Sequence, residues 1–205
     1  MRLSSNSNDQ LLYFSYKLML MKILQVIIVT LITVSLFSCS TAKIYFVRHA
    51  EKSLTVKNDP PLTPEGEQRA LALEKVLKGK KIKYIYSTQT ARTINTAKPL
   101  SESLSLPITY YSHDTMPKFL YRMLETGDNS LVVGHSNTVL KMIEELGLVP
   151  SKKEIPDAEY DNLFVVYLKS KNGRGGYSLK LKELKFGVPS VKPSVKNQGP
   201  MQSTM

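Results

Sequence analysis

The chain predicts an α/β fold: a three-layer α/β/α sandwich around a mainly parallel sheet, with a C-terminal antiparallel hairpin. Two observations carry this. From residue 44 to about 146, short apolar runs alternate with amphipathic stretches of helical period. That is the pattern of successive strand–helix units, whose parallel strands are buried on both faces. A last pair of apolar runs, 163–168 and 177–181, then flanks Lys171-Asn172-Gly173-Arg174-Gly175-Gly176, the signature of a hairpin with a loose loop.

The elements follow in order. Ile44-Tyr45-Phe46-Val47 is apolar, β-branched and aromatic, and reads as a buried strand. Residues 50–62 are polar and proline-bearing, hence a loop. A helix begins at Thr63-Pro64, a good cap and first-position pair, with Ala70, Leu71, Leu73, Val76 and Leu77 as its apolar stripe and Gly79 at its end. Ile82 to Tyr86 is a strand, Thr90 to Leu104 a helix containing Pro99, and Leu106 to Tyr111 a strand. Pro117 to Glu125 is a helix with Phe119, Leu120, Met123 and Leu124 inward, ended by Gly127. Ser130 to Val133 is a strand, and Asn137 to Leu146 a helix with Val139, Leu140 and Ile143 inward, ended by Gly147.

Three segments divide the chain. Residues 1–38 combine an extension, Met1 to Leu20, with a signal-like segment. The latter starts at Met21-Lys22, runs through apolar Ile23 to Phe37 and reaches Ser38-Cys39-Ser40, the layout of an export signal. Leu36-Phe37-Ser38-Cys39 resembles a bacterial lipobox, so Cys39, the single cysteine, is expected to be lipidated. The apolar run is short for a membrane span. Export and membrane attachment through Cys39 follow as expectations. Residues 40–186 form the domain, and 187–205, rich in proline and small polar residues, an expected disordered tail.

Net charge is +11, and the three basic and one acidic residues ahead of Cys39 leave +9 on the remainder. A basic surface attracts anionic substrates. The lysines are scattered without aromatic interleaving, which argues against nucleic acid.

The chemistry lies at the strand ends, where sites of open parallel sheets form. Arg48-His49 ends the first apolar run, Ser87-Thr88 with Arg92 follows the second, and Gly134-His135 ends the run Leu131-Val132-Val133. Arginine forks match phosphate oxygens with paired charge-assisted hydrogen bonds. A neutral imidazole can attack phosphorus and carry the group covalently.

At these residues the chain resembles the histidine phosphatase superfamily, of phosphoglycerate-mutase-like fold. The matching stretches are Val47-Arg48-His49-Ala50-Glu51-Lys52, Leu62-Thr63-Pro64-Glu65-Gly66, Ser87 to Thr93 with Thr96-Ala97, and Val132 to Asn137. The resemblance implies His49 as the phosphorylated nucleophile, with Arg48, Arg92 and His135 completing a phosphate pocket. It implies no metal and no cofactor, and a small phosphorylated substrate or phosphoprotein. Ala50 replaces the glycine usual after Arg-His, as in the small phosphohistidine-phosphatase branch and related exported members. The mutase asparagine has no match, since Asn58 lies too far along. The proton donor expected after the third strand has Asp114 as candidate, with helix capping as its alternative role. Glu51, Lys52 and Ser136 are candidate substrate contacts. A phosphatase is the first expectation; a phosphate-binding module with little turnover, and then a phosphoglycerate mutase, are the alternatives.

Overall fold

The computed structural model describes residues 7–35, 41–112, 114–170 and 176–190. It divides into two units, residues 1–40 and 41–205. The first holds one helix, α1, Ser7–Ser35. Among the described residues no helix is long and apolar enough to cross a membrane. Cys39, and with it the lipidation site, lies outside the described residues.

The second unit follows the order β1 (Thr41–Arg48), α2 (Pro64–Leu77), β2 (Tyr84–Ser87), α3 (Ala91–Leu104), β3 (Ile108–Tyr110), α4 (Met116–Thr126), β4 (Ser130–Gly134), α5 (Ser136–Glu145), β5 (Asn162–Ser170), β6 (Tyr177–Lys185). One six-stranded sheet has the order β3-β2-β4-β1-β5-β6. β3, β2, β4 and β1 run parallel, while β5 is antiparallel to β1, and β6 to β5. The α/β sandwich with a terminal hairpin is therefore what the chain forms.

Period-two alternation puts the two sides of each strand into two different cores. Ile44, Phe46, Val132, Phe164 and Val166 face one way and pack on Leu120 and Met123 of α4 and Val139 and Ile143 of α5. Tyr45, Val47, Leu131, Val133 and Val165 face the other way and pack on Leu73 and Leu77 of α2 and Ala97 and Leu100 of α3. Each fully buried side chain of this size contributes about 1.5–3 kcal/mol relative to exposure.

Local chemistry explains the entry to α2. Thr63 Oγ1 accepts from the Gly66 amide at 3.2 Å, and the Thr63 amide donates to Glu51 O at 2.9 Å. A Cβ on Gly66 would stand 2.2 Å from Glu51 O, so the helix start lies against the loop backbone and only glycine fits.

Several expectations shift. Leu71 and Val76 are 43% and 38% exposed, because the inward face of α2 runs through Gly66, Arg69, Ala70, Leu73 and Leu77. Gly79 does not supply the left-handed turn after α2; Lys81 does, at φ 53°. β6 continues to Lys185, beyond the apolar run, because an edge strand tolerates charges on its open side. Residues 188 and 190, placed in the expected tail, bond to the domain. Ser190 Oγ accepts from the Tyr160 and Asp161 amides at 2.9 and 3.2 Å, and the Val188 carbonyl accepts from Arg69 Nη1 at 3.0 Å. Residues 191–205, the loop residues 171–175 and His113 lie outside the described residues.

Candidate active site

The parallel register aligns the strand ends that carry the chemistry. Arg48 is paired with Gly134, and Ser87 with Val133. The chain leaves β1 at His49, whose amide donates to Gly134 O at 2.9 Å, so the ladder holds through the first residue beyond the strand. Ala50 is pinned at both ends. Its amide donates to Thr96 Oγ1 of α3 at 2.9 Å, and its carbonyl lies 2.8 Å from His49 Nδ1. A carbonyl only accepts, so Nδ1 carries the proton and Nε2 of neutral His49 keeps its lone pair. Burial holds this imidazole at a pKa of about 3, with Arg48, His135 and Arg92 adding repulsion. His49 is thus a neutral, oriented imidazole.

His135 stands 5.5 Å away, ring centroid to centroid, at 67°. It is the N-cap residue of α5, and its amide donates to Thr138 Oγ1 at 2.8 Å. A Cβ on the preceding Gly134 would lie 2.8 Å from both Thr138 Oγ1 and Tyr111 Oη, which accounts for glycine there. Arg92 Nη2 lies 3.4 Å from His135 Nδ1, and Thr88 Oγ1 lies 3.0 Å from Nε2. Arginine donates only, so Nδ1 accepts and the proton sits on Nε2, facing Thr88. Burial first, then Arg92, Arg48 and Lys52, lower its pKa to about 4.

The arginines are held in different ways. Arg48 is 4% exposed. Its Nη1 donates to Pro156 O at 2.8 Å, with Asp157 O and Glu159 O at 3.3 and 3.4 Å, and Nη2 reaches Asp157 Oδ1 at 3.2 Å. The Tyr160 ring covers it, 4.6 Å from Cζ to centroid, and that ring also lies 6.1 Å from His49. The expected open fork of Arg48 is therefore engaged by the loop before β5. Arg92, at the start of α3, has Nη1 3.7 Å from Asp59 Oδ1. Among the described residues, the only buried side-chain nitrogens or oxygens without a hydrogen-bond partner are Nε of Arg48 and Nε of Arg92.

The remaining candidates separate. Lys52 bridges to Leu62 at the base of the loop, and its charge reaches His135. The Glu51 carboxylate instead takes both Arg69 Nε contacts, at 2.8 and 2.9 Å, and Arg69 Nη2 at 2.6 Å. That pairing, with Arg69 7% exposed, makes Glu51 a brace between loop and α2 rather than a free substrate contact. Ser136 lines a groove of about 1080 Å³ between α5 and residues 153–157. Asp114 is exposed in the turn before α4, and Thr115 occupies the N-cap. Its neighbours Ser112 and Thr115 line a cavity of about 560 Å³ together with Gln89, Tyr110, Thr88 and His135, but Asp114 does not. Sequence patterns missed Arg69, Tyr160, Asp59 and Thr88 as supports; only Thr88 stood inside a matched motif.

Residues 44–113 match the model of the histidine phosphatase superfamily, branch 1. The matched span includes Arg48, His49 and Arg92, so the resemblance carried by the motifs is shown there, ending before His135. No curated protein sequence matches the chain. Solved structures share the fold. "Mycobacterial hydrolase 2" has a TM-score of 0.57 at 12% identity, covering 75% of this chain and 94% of its own. The mycobacterial glucosyl-3-phosphoglycerate phosphatase with inorganic phosphate scores 0.52 at 13%, covering 69% and 95%. The protein histidine phosphatase SixA complexed with tungstate scores 0.51 at 18%, covering 70% and 96%. At these identities the likeness is one of fold.

Proposed function

We propose that the protein is a phosphatase that hydrolyses phosphomonoesters or phosphoramidates through a phosphohistidine on His49. The observation that carries this is the pair of buried, unpartnered Nε–H groups, both on arginines that flank a neutral imidazole. A buried donor without an acceptor costs about 1–3 kcal/mol. A tetrahedral oxyanion seated between Arg48 and Arg92 would satisfy both and place phosphorus before His49 Nε2.

In the first step the Nε2 lone pair forms a bond to phosphorus as the bond to the leaving oxygen or nitrogen breaks. That atom keeps the bonding pair and takes a proton from solvent. The Nδ1–H, held on Ala50 O, stabilises the cationic ring that results. In the second step water attacks phosphorus, loses a proton and releases phosphate, and Nε2 recovers its electron pair. Arg48 and Arg92 offset the charge that develops on the transferring oxygens. The cavity beside His135 has room for the organic part of the substrate. Because Asp114 stands outside its lining, leaving groups that need little protonation are favoured, phosphohistidine and aryl phosphates among them. The same observation favours a second reading, a binding module that holds phosphorylated ligands with little turnover.

Replacing His49 by alanine tests the first reading. Turnover of p-nitrophenyl phosphate by the full chain is expected to fall at least about 10³-fold, with loss of acid-labile phosphate labelling. Retained turnover overturns the assignment, and phosphate binding without turnover in the unaltered protein selects the binding module. The N-terminal layout further supports export and lipid anchoring through Cys39. In a bacterial host, Cys39→Ser is expected to abolish lipid labelling, and unchanged labelling overturns the anchor.

A further inference from the structure

Asp59 lies in the loop after β1, 33 residues ahead of Arg92 in sequence, yet it meets the start of α3. The Ala91 amide donates to its carboxylate, 2.8 Å from Oδ1 and 3.0 Å from Oδ2. Thr90, the residue in the N-cap position, makes no side-chain cap bond; its hydroxyl lies 2.8 Å from Thr93 Oγ1 instead. A residue from another loop therefore caps α3. An anionic group is suited to that position, because the first amides of a helix lack partners and the dipole is positive there.

The cap is held against backbone preference. Asp59 has φ 44°, the left-handed region, which is unfavourable for a side chain with a Cβ. It also precedes Pro60, and a residue before proline is restricted towards extended conformations. Such a conformation persists where surrounding structure over-determines it. Here the loop base is closed by the Lys52–Leu62 bridge and by the Ser53 amide donating to Pro61 O at 2.9 Å, and Pro60 is buried.

The consequence falls on Arg92. A planar guanidinium has three outward directions. Nη1 forms an ion pair with Asp59 at 3.7 Å and Nη2 lies 3.4 Å from His135 Nδ1, while the buried Nε has no hydrogen-bond partner. Two directions fixed in a rigid plane set the third. We infer that Asp59 is a positioning residue for the proposed reaction: its carboxylate caps α3 and orients Arg92 so that Nε–H meets the transferring phosphoryl group. This rests on the phosphatase reading.

The test separates capping from orientation in the full chain, using p-nitrophenyl phosphate turnover, inorganic phosphate affinity and Tm. Asp59→Ala is expected to lower Tm and to reduce kcat/KM by about 10–100-fold, the scale of a small misplacement of a catalytic group. Adding Thr90→Asp supplies a local cap but no anion beside Arg92 Nη1. Tm should recover in that double variant while kcat/KM and phosphate affinity stay low. Asp59→Asn keeps an oxygen for the Ala91 amide without the charge, and should lose several-fold in kcat/KM at near-normal Tm. The inference is overturned if the double variant recovers activity along with Tm, or if Asp59→Asn stays within about twofold of the unaltered protein. Absence of His49-dependent turnover in the unaltered protein would sink the phosphatase reading instead, and phosphate affinity would still judge Asp59.

Discussion

Arg48 with His49 and Arg92 with His135 form two halves of one candidate pocket, and the two halves are built differently. Arg48 is held by backbone carbonyls of Pro156, Asp157 and Glu159 and by the Asp157 carboxylate at 3.2 Å, under the Tyr160 ring, at 4% exposure. Arg92 is 20% exposed and has a carboxylate 3.7 Å away, on a residue itself 54% exposed. Backbone carbonyl oxygens do not titrate. The first half rests mainly on backbone carbonyls; the second rests on a carboxylate and on the His135 imidazole. The loop holding Arg48 is itself braced from the C-terminal side, by Ser190 on Tyr160 and Asp161 and by Lys185 on Asp161 at 2.7 Å.

Truncating each arginine breaks the comparison most directly. Arg48→Ala is expected to reduce kcat by about 10³-fold and to destabilise the fold by about 2–4 kcal/mol, since it leaves a void where a buried side chain stood and removes its bonds to three carbonyls. Arg92→Ala is expected to reduce kcat by about 10²-fold and to cost under about 1 kcal/mol. Urea unfolding alongside aryl phosphate kinetics measures both. Equal losses of stability would show that the two halves are not built differently.

The half-pockets also differ in how far the sequence displayed them. Arg48, His49, Arg92 and His135 were legible because each stands at or just beyond a strand end, and strand ends are marked by local changes of pattern. The parallel order of the first four strands followed from alternation with helices, and the hairpin from its glycine-rich connection. The supports were not legible, because each depends on contacts between segments far apart. Glu51 and Arg69 meet across 18 residues, Arg48 and Asp157 across 109, Asp59 and Ala91 across 32. The error over Glu51 has the same origin. Its place beside Arg48-His49 suggested a substrate contact, while its partner was hidden inside the helical pattern of α2, where a charged residue normally faces solvent. Leu71 and Val76 show the converse: Arg69 occupies the inward face that apolar composition alone would have given to them.

Acid titration sharpens the contrast with the smallest perturbation, because each half contains one imidazole. Burial, reinforced by neighbouring cations, lowers His49 to about 3 and His135 to about 4. An unfolded histidine titrates near 6.5. Between about 6.5 and these values the unfolded chain binds more protons than the folded one, so stability falls as pH falls. The loss from His135 is complete near pH 4, where the folded form also protonates, whereas that from His49 continues to about 3. His135⁺ would then face Arg92 Nη2 at 3.4 Å with no lone pair left to accept its proton, so protonation weakens that contact. Two-dimensional NMR of the imidazole protons is expected to show both rings still neutral well below pH 6.5. For activity, kcat/KM corrected for ionisation of the substrate should show its acid limb near pH 4 or below. A limb near 6.5 would mean that the imidazoles are not buried beside the arginines as described.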